Sequence, residues 1–268
     1  MSAIKLLLIL PLLAALGYLA LVGLMCFSQR ALLYPGANAA FEPAAHAEWG
    51  EKVSIPTPDG ETLHALFSKG EAGKPSVLFF LGNADRISNY GFLAQTLSAR
   101  GIGLLAISYR GYAGSTGAPS EDGLLIDGLA TFDWLSAQRD GGIVLLGQSL
   151  GSGVAVNTAA QRPAAGVILV SAYLSILSVA QTHYPFLPVA TFIKDPFRSD
   201  LRIGTVRQPK LFIHGRRDEI IPLASGEALH ALEPEPKRML IHDAHGHNDL
   251  WNEGMTEEII GFVEALSR

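Results

Sequence analysis

Gly147-Gln148-Ser149-Leu150-Gly151 sits between two contrasting runs. Before it, Ile143-Val144-Leu145-Leu146 is short and continuously apolar, as suits a strand buried on both faces of a parallel sheet. After it, Ser152-Gly153-Val154-Ala155-Val156-Asn157-Thr158-Ala159-Ala160 is small and compatible with a tightly packed helix. A strand, a sharp turn with Ser at its apex and a helix make a nucleophile elbow. The turn forces Ser149 into a strained backbone conformation. Residues two positions to either side must lack bulk so that strand and helix can close on each other.

Working outward, the same apolar runs recur at Val77–Leu81, Ile102–Ile107, Val167–Val170, Leu211–Ile213 and Met239–Ile241. Helical patterns lie between them. Phe92, Leu93, Thr96 and Leu97 share a face, as do Leu125, Leu129, Phe132 and Leu135, the latter behind Ser120 as N-cap with Glu121 and Asp122 in the first turn. The last helix presents Ile259, Phe262, Val263 and Leu266. Val53-Ser54-Ile55 and Thr62–Phe67 flank Pro58-Asp59-Gly60 and predict an antiparallel hairpin at the leading edge. Strands alternating with helices predict an α/β domain with a mostly parallel central sheet and helices on both faces. Residues 172–206 break this rhythm. The stretch holds Pro185, Pro188 and Pro196 with Tyr173, His183, Tyr184, Phe186, Phe192 and Phe197, and reads either as a crossover helix with a long loop or as a small cap with an apolar pocket.

The 268 residues divide into an N-terminal segment, 1–30, and one large domain, 31–268. Leu6 to Phe27 carries no charge; its 22 residues rise roughly 33 Å as a helix, enough for a bilayer core of about 30 Å. A cleaved signal peptide has a shorter apolar region, and the small-x-small triplet Ala37-Asn38-Ala39 lies ten residues beyond this one. The expectation is therefore an uncleaved single-pass anchor. Lys5 and the amino terminus against Arg30 favour, by one charge, a cytoplasmic amino terminus and a catalytic domain on the other side. The net charge of −5, with no Lys/Arg run, excludes a nucleic-acid footprint, and the single cysteine, Cys26, excludes an intramolecular disulfide.

A serine hydroxyl needs a histidine base, and the histidine needs a carboxylate to hold its tautomer. Asp218 follows the strand Leu211–His214 and is the candidate acid, with Glu219 as its rival. His247 lies between the last strand and the last helix and is the candidate base, with His242 and His245 as competitors. His242, Asp243, His245, His247 and Asp249 could also be read as metal ligands, but their spacing is loose and neither metal nor cofactor is expected. Two backbone N–H groups must face the developing oxyanion. Leu150, next to the nucleophile, and Asn83, in the loop Gly82-Asn83-Ala84, are the candidates.

Several segments carry a resemblance. Phe79–Ala84 is similar to an F-x-H-G-N-A strand end, and Ser108–Ser120 to a D-Y-R-G-Y-G-x-S-x-G-x-P-S signature. The stretches His214–Pro222 and Gly246–Asp249, and an apolar amino terminus followed by Gln29-Arg30-Ala31-Leu32-Leu33-Tyr34-Pro35, also match. The chain resembles the membrane-anchored serine-hydrolase branch of the α/β-hydrolase superfamily, which includes protein depalmitoylases and serine aminopeptidase-like hydrolases. The resemblance implies the α/β-hydrolase fold, with Ser149 as nucleophile, Asp218 as acid and His247 as base. It implies ester or thioester cleavage on acyl substrates without a cofactor, with a serine peptidase as the alternative. Three positions depart from the pattern: Leu81 stands in place of His, Asp85 in place of a small residue, and Ser108 in place of Asp. The first departure leaves room for a catalytically weak, membrane-tethered binding protein.

Overall fold

The computed structural model describes residues 3–38 and 49–266. Helix α1 (Ala3–Leu33) leads to a hairpin of strands β1 (Glu51–Pro56) and β2 (Thr62–Ser68). Then come β3 (Ser76–Phe80), α2 (Gly91–Ser98), β4 (Gly103–Ile107), α3 (Glu121–Gln138), β5 (Ile143–Gln148), α4 (Leu150–Gln161) and β6 (Gly166–Val170). Two short helices, α5 (Ile176–His183) and α6 (Val189–Phe192), precede β7 (Lys210–Gly215), α7 (Leu223–Leu232), β8 (Lys237–His242) and α8 (Glu253–Ala265).

The eight strands form one sheet in the order β1-β2-β4-β3-β5-β6-β7-β8. β1, β2 and β4 pair antiparallel; the rest of the sheet is parallel. The central strands β3, β4, β5 and β6 are buried at every residue, which explains their unbroken apolar runs. One core layer lies between the sheet and α3, α4 and α7, containing Leu124, Val154, Ala155 and Leu229. The other lies beneath α2 and α8 and contains Leu93, Leu97, Ile259 and Val263. The fold is the expected doubly covered sheet.

Helix α3 is rotated relative to its predicted face. Leu124, Asp127, Gly128, Thr131, Phe132 and Leu135 are buried, while Leu125 and Leu129 are only half-buried. Two contacts set this rotation. Asp127 turns inward to pair with the buried Arg110, and Gly128 lies so close to Val154 and Thr158 of α4 that a β-carbon would clash. In α2, Ala94 rather than Phe92 completes the buried face; Phe92 instead packs edge-on to Trp251.

Residues Ile9–Leu33 of α1 are long and apolar enough to cross a membrane, with mean hydropathy 2.3. The small-x-small triplet runs into residues 39–48 and so lies partly outside the described residues. The 172–206 connection folds as α5 and α6 with short 3-10 turns, and no residue of either helix is buried.

Candidate active site

The elbow forms at the junction of β5 and α4. Ser149 has φ 50° and ψ −119°, a left-handed conformation that non-glycine residues rarely hold. Its surroundings fix it there. The Ser149 N–H donates to the Val170 carbonyl at 2.9 Å, and the Ser149 carbonyl accepts from both the N–H (2.9 Å) and the hydroxyl (2.7 Å) of Ser152. A β-carbon at Gly151 would overlap the Phe80 carbonyl, and one at Gly147 the Gly151 carbonyl. Both glycines are thus required by close backbone approach.

Three side chains from separate loops meet at this turn. His247 Nε2 lies 3.0 Å from Ser149 Oγ, and His247 Nδ1 lies 2.8 Å from Asp218 Oδ2. Because the carboxylate can only accept, Nδ1 carries the proton and Nε2 is left to accept from the serine hydroxyl. Asp218 Oδ1 receives the N–H groups of Ile220 (3.0 Å) and Ile221 (2.7 Å). Burial pushes the Asp218 carboxyl up, but the hydrogen bond and charge of His247 and the Ile221 N–H outweigh burial and hold it below the usual carboxylate range.

The rival residues sit elsewhere. Glu219 is exposed. The His242 and His245 rings pack on each other, and His245 Nε2 lies 3.4 Å from Asn252 Nδ2. Asp243 pairs with Arg216, and Asp249 accepts from the Gly246 N–H. Among the described residues no group of three or more His, Cys, Asp or Glu is placed to hold a metal.

The loop after β3 borders the serine. A β-carbon on Gly82 would stand 3.8 Å from that of Ser149. The Asn83 carbonyl accepts from Tyr112 Oη (2.8 Å) and the Gly36 N–H (3.1 Å), while Asn83 Nδ2 donates to the Leu33 carbonyl at 3.0 Å. Leu150 is the first residue of α4, so its N–H has no partner within the helix.

Several neighbouring residues were given no supporting part in the sequence reading. His214, at the end of β7, is buried, with Nε2 2.9 Å from the Ile221 carbonyl and 3.5 Å from Asp218 Oδ2. Burial lowers its pKa, so the ring is neutral, and Nε2–H donates to that carbonyl, bracing the turn that carries Asp218. Its place in the His214-Gly215 motif was the available signal. Asp85, one of the departures from the family pattern, accepts from the Arg86 N–H (2.8 Å) and Asn89 Nδ2 (2.9 Å) and contacts the Tyr90 hydroxyl. That hydroxyl also lies 2.8 Å from Gln148 Oε1, which accepts from Trp251 Nε1 at 3.0 Å. Leu81 is a buried packing residue whose carbonyl accepts from Tyr109 Oη at 2.9 Å. Polar side chains at 85, 90, 109 and 112 therefore fasten the loop that lacks a histidine at 81.

A cavity of about 710 Å³ opens beside Ser149, within the range of small-molecule sites. One wall is Gly82–Asp85 and His247; another is α5, α6 and the chain between them; a third is the C-terminal half of α1, including Val22, Met25, Cys26, Gln29 and Leu33.

An eight-stranded sheet in this order, with a serine elbow after the fifth strand, defines an α/β hydrolase. Within that class the chain belongs to the serine aminopeptidase S33 family, whose model matches residues 72–205. It is 39% identical over 228 residues to an uncharacterised protein of Mycobacterium tuberculosis, covering 82% of this chain and 81% of that one. It is 33% identical to the uncharacterised protein YfhR of Salmonella typhimurium, covering 83% and 82%. The lysophosphatidylserine lipase ABHD12 of Xenopus tropicalis is 31% identical over 58% of this chain and 46% of its own. Among solved structures, an esterase of Pyrococcus furiosus superposes with a TM-score of 0.68 at 17% identity, covering 85% of this chain and all of that one, a likeness of fold.

Proposed function

We propose that this α/β hydrolase is a membrane-tethered serine hydrolase that cleaves ester or thioester bonds of acyl substrates through an acyl-serine intermediate. The observation that carries the reading is the hydrogen-bonded series from Ser149 through His247 to Asp218 at a strained elbow. Ser149 Oγ attacks the substrate carbonyl as His247 Nε2 takes its proton. The tetrahedral oxyanion is met by the backbone N–H groups of Leu150 and Asn83. Its collapse breaks the bond to the alcohol or thiol, which leaves with the proton from His247. Water then attacks the acyl-serine by the same path, releasing the acid and restoring the hydroxyl.

The cavity favours acyl over peptide substrates. It is lined mainly by apolar side chains, and its two lining carboxylates, Asp85 and Asp195, are already engaged. Asp85 is bound by its own loop, and Asp195 by Arg30 and the Glu121 N–H, so neither is left to receive a substrate ammonium group. Exposed apolar side chains along α1 support tethering.

Fluorophosphonate labelling tests the chemistry, because it requires an activated serine. The wild-type protein should be labelled and Ser149→Ala should not; labelling that persists in Ser149→Ala removes the assignment. Carbonate extraction with intact-mass measurement tests the anchor. The expected result is a full-length chain in the membrane pellet, and a shortened chain in the supernatant contradicts tethering.

A further inference from the structure

The C-terminal half of α1 changes character along its length. Residues 9–21 are exposed all round, but Val22, Met25, Cys26, Gln29 and Leu33 are half-buried at helical spacing and line the cavity. The opposite face stays apolar and exposed alongside them, with Leu24 and Phe27 outward. Lipid that solvates this face therefore reaches the level of the cavity.

The cap follows the helix into the same layer. Tyr18 Oη donates to the Phe186 carbonyl at 2.9 Å, and Gln29 is bonded to both Phe192 and Lys194 backbone groups. Tyr18 is nine residues, about 13 Å, back along the helix from Phe27, the end of the apolar run. Phe186 and Phe192 are themselves exposed. Large exposed apolar surface marks a membrane- or partner-facing site, and the adjoining apolar span of α1 favours the membrane.

We infer that α1 is both anchor and acyl-binding wall: the slot between α1 and α5–α6 admits one long acyl chain of a membrane ester directly from the bilayer, with its carbonyl at Ser149. The inference rests on the catalytic reading above. The occupant is a single chain because the slot is bounded on one side by one helix and its remaining sides are the cap and the oxyanion loop. Each methylene seated there should raise kcat/KM about fourfold.

Cys26 is the single cysteine of the chain and lines the slot, so its modification reports occupancy. Full-length protein in nanodiscs is treated with an ethyl or a hexadecyl fluorophosphonate, and the rate of Cys26 modification by a maleimide is then measured. The hexadecyl probe should slow it at least tenfold and the ethyl probe less than twofold. As a second measurement, Met25→Trp should cut kcat/KM for a dodecanoyl ester roughly sixtyfold more than for an acetyl ester, the contribution of about three methylenes. Leu24→Trp, on the lipid face, should change neither. Labelling of Ser149 by both probes with equal Cys26 rates overturns the slot and leaves the catalytic reading standing. Failure of both probes to label Ser149 overturns both. If Met25→Trp does not fold, the Cys26 rates in the wild-type chain decide.

Discussion

The cavity has two kinds of wall. On one side Ser149, Asp218 and His247 stand on turns at the ends of strands, and α4 behind Ser149 is buried from Leu150 to Ala159. On the other, α5 and α6 bury no residue, and their fastening to α1 is a handful of hydrogen bonds and the Arg30–Asp195 pair. The groups proposed for bond breaking are over-determined by the core. Those that meet the substrate's apolar part are held at the periphery, where sequence can change without disturbing the sheet. Substitutions on the two sides should therefore differ in kind: activity lost on every ester on the first, chain-length preference altered on the second.

The largest effects belong to the first wall. Ser149→Ala and His247→Ala should each lower ester turnover on the order of a thousandfold or more while leaving Tm nearly unchanged, measured on short and long esters alike. A selective loss on long esters alone would erase the contrast. Asp85→Ala comes next. It frees the loop bearing Asn83 from Tyr90 and should lower kcat roughly tenfold at similar KM, since a misplaced oxyanion donor forfeits part of the roughly 3–4 kcal/mol that such a donor supplies. Unchanged kcat would mean that Tyr109 and Tyr112 suffice to hold the loop. On the second wall, Arg30→Gln leaves the buried Asp195 with only the Glu121 N–H, for about 1 kcal/mol of stability and a loss on long esters that short esters do not share. The smallest effect concerns His214. Burial holds its pKa below the ordinary 6.5, so the unfolded chain takes up its proton first and stability falls as pH drops through 6.5. His214→Gln should flatten that slope in Tm between pH 7.5 and 5.5, and an unaltered slope would assign it to other groups.

The parallel sheet was legible because burial on both faces demands unbroken apolar runs such as Val77–Leu81, and the elbow because Gly147 and Gly151 answer a backbone constraint rather than a packing preference. The meeting of Ser149, Asp218 and His247 followed from their positions after β5, β7 and β8, although Glu219, His242 and His245 stayed as rivals until distances separated them. The face of α3 was misread because hydropathy cannot foresee Asp127 turning inward to Arg110. The cavity-lining side of α1 was hidden for a similar reason. A hydropathy reading treats every side of an apolar helix as equivalent, and only Gln29 and Arg30 at its end signalled that one side has a protein partner.

Asn83 ties the helix to the loop at its side chain, through the Leu33 carbonyl, and at its carbonyl, through Gly36. A protease cut at Ala37-Asn38-Ala39, beyond Leu33 and Gly36, would thus do more than part the domain from its proposed anchor. It would strip the loop of two restraints and open one side of the cavity to water. On the proposed reading, leader removal and full competence are opposed in this chain, because the helix that would hold it in a bilayer also walls its cavity.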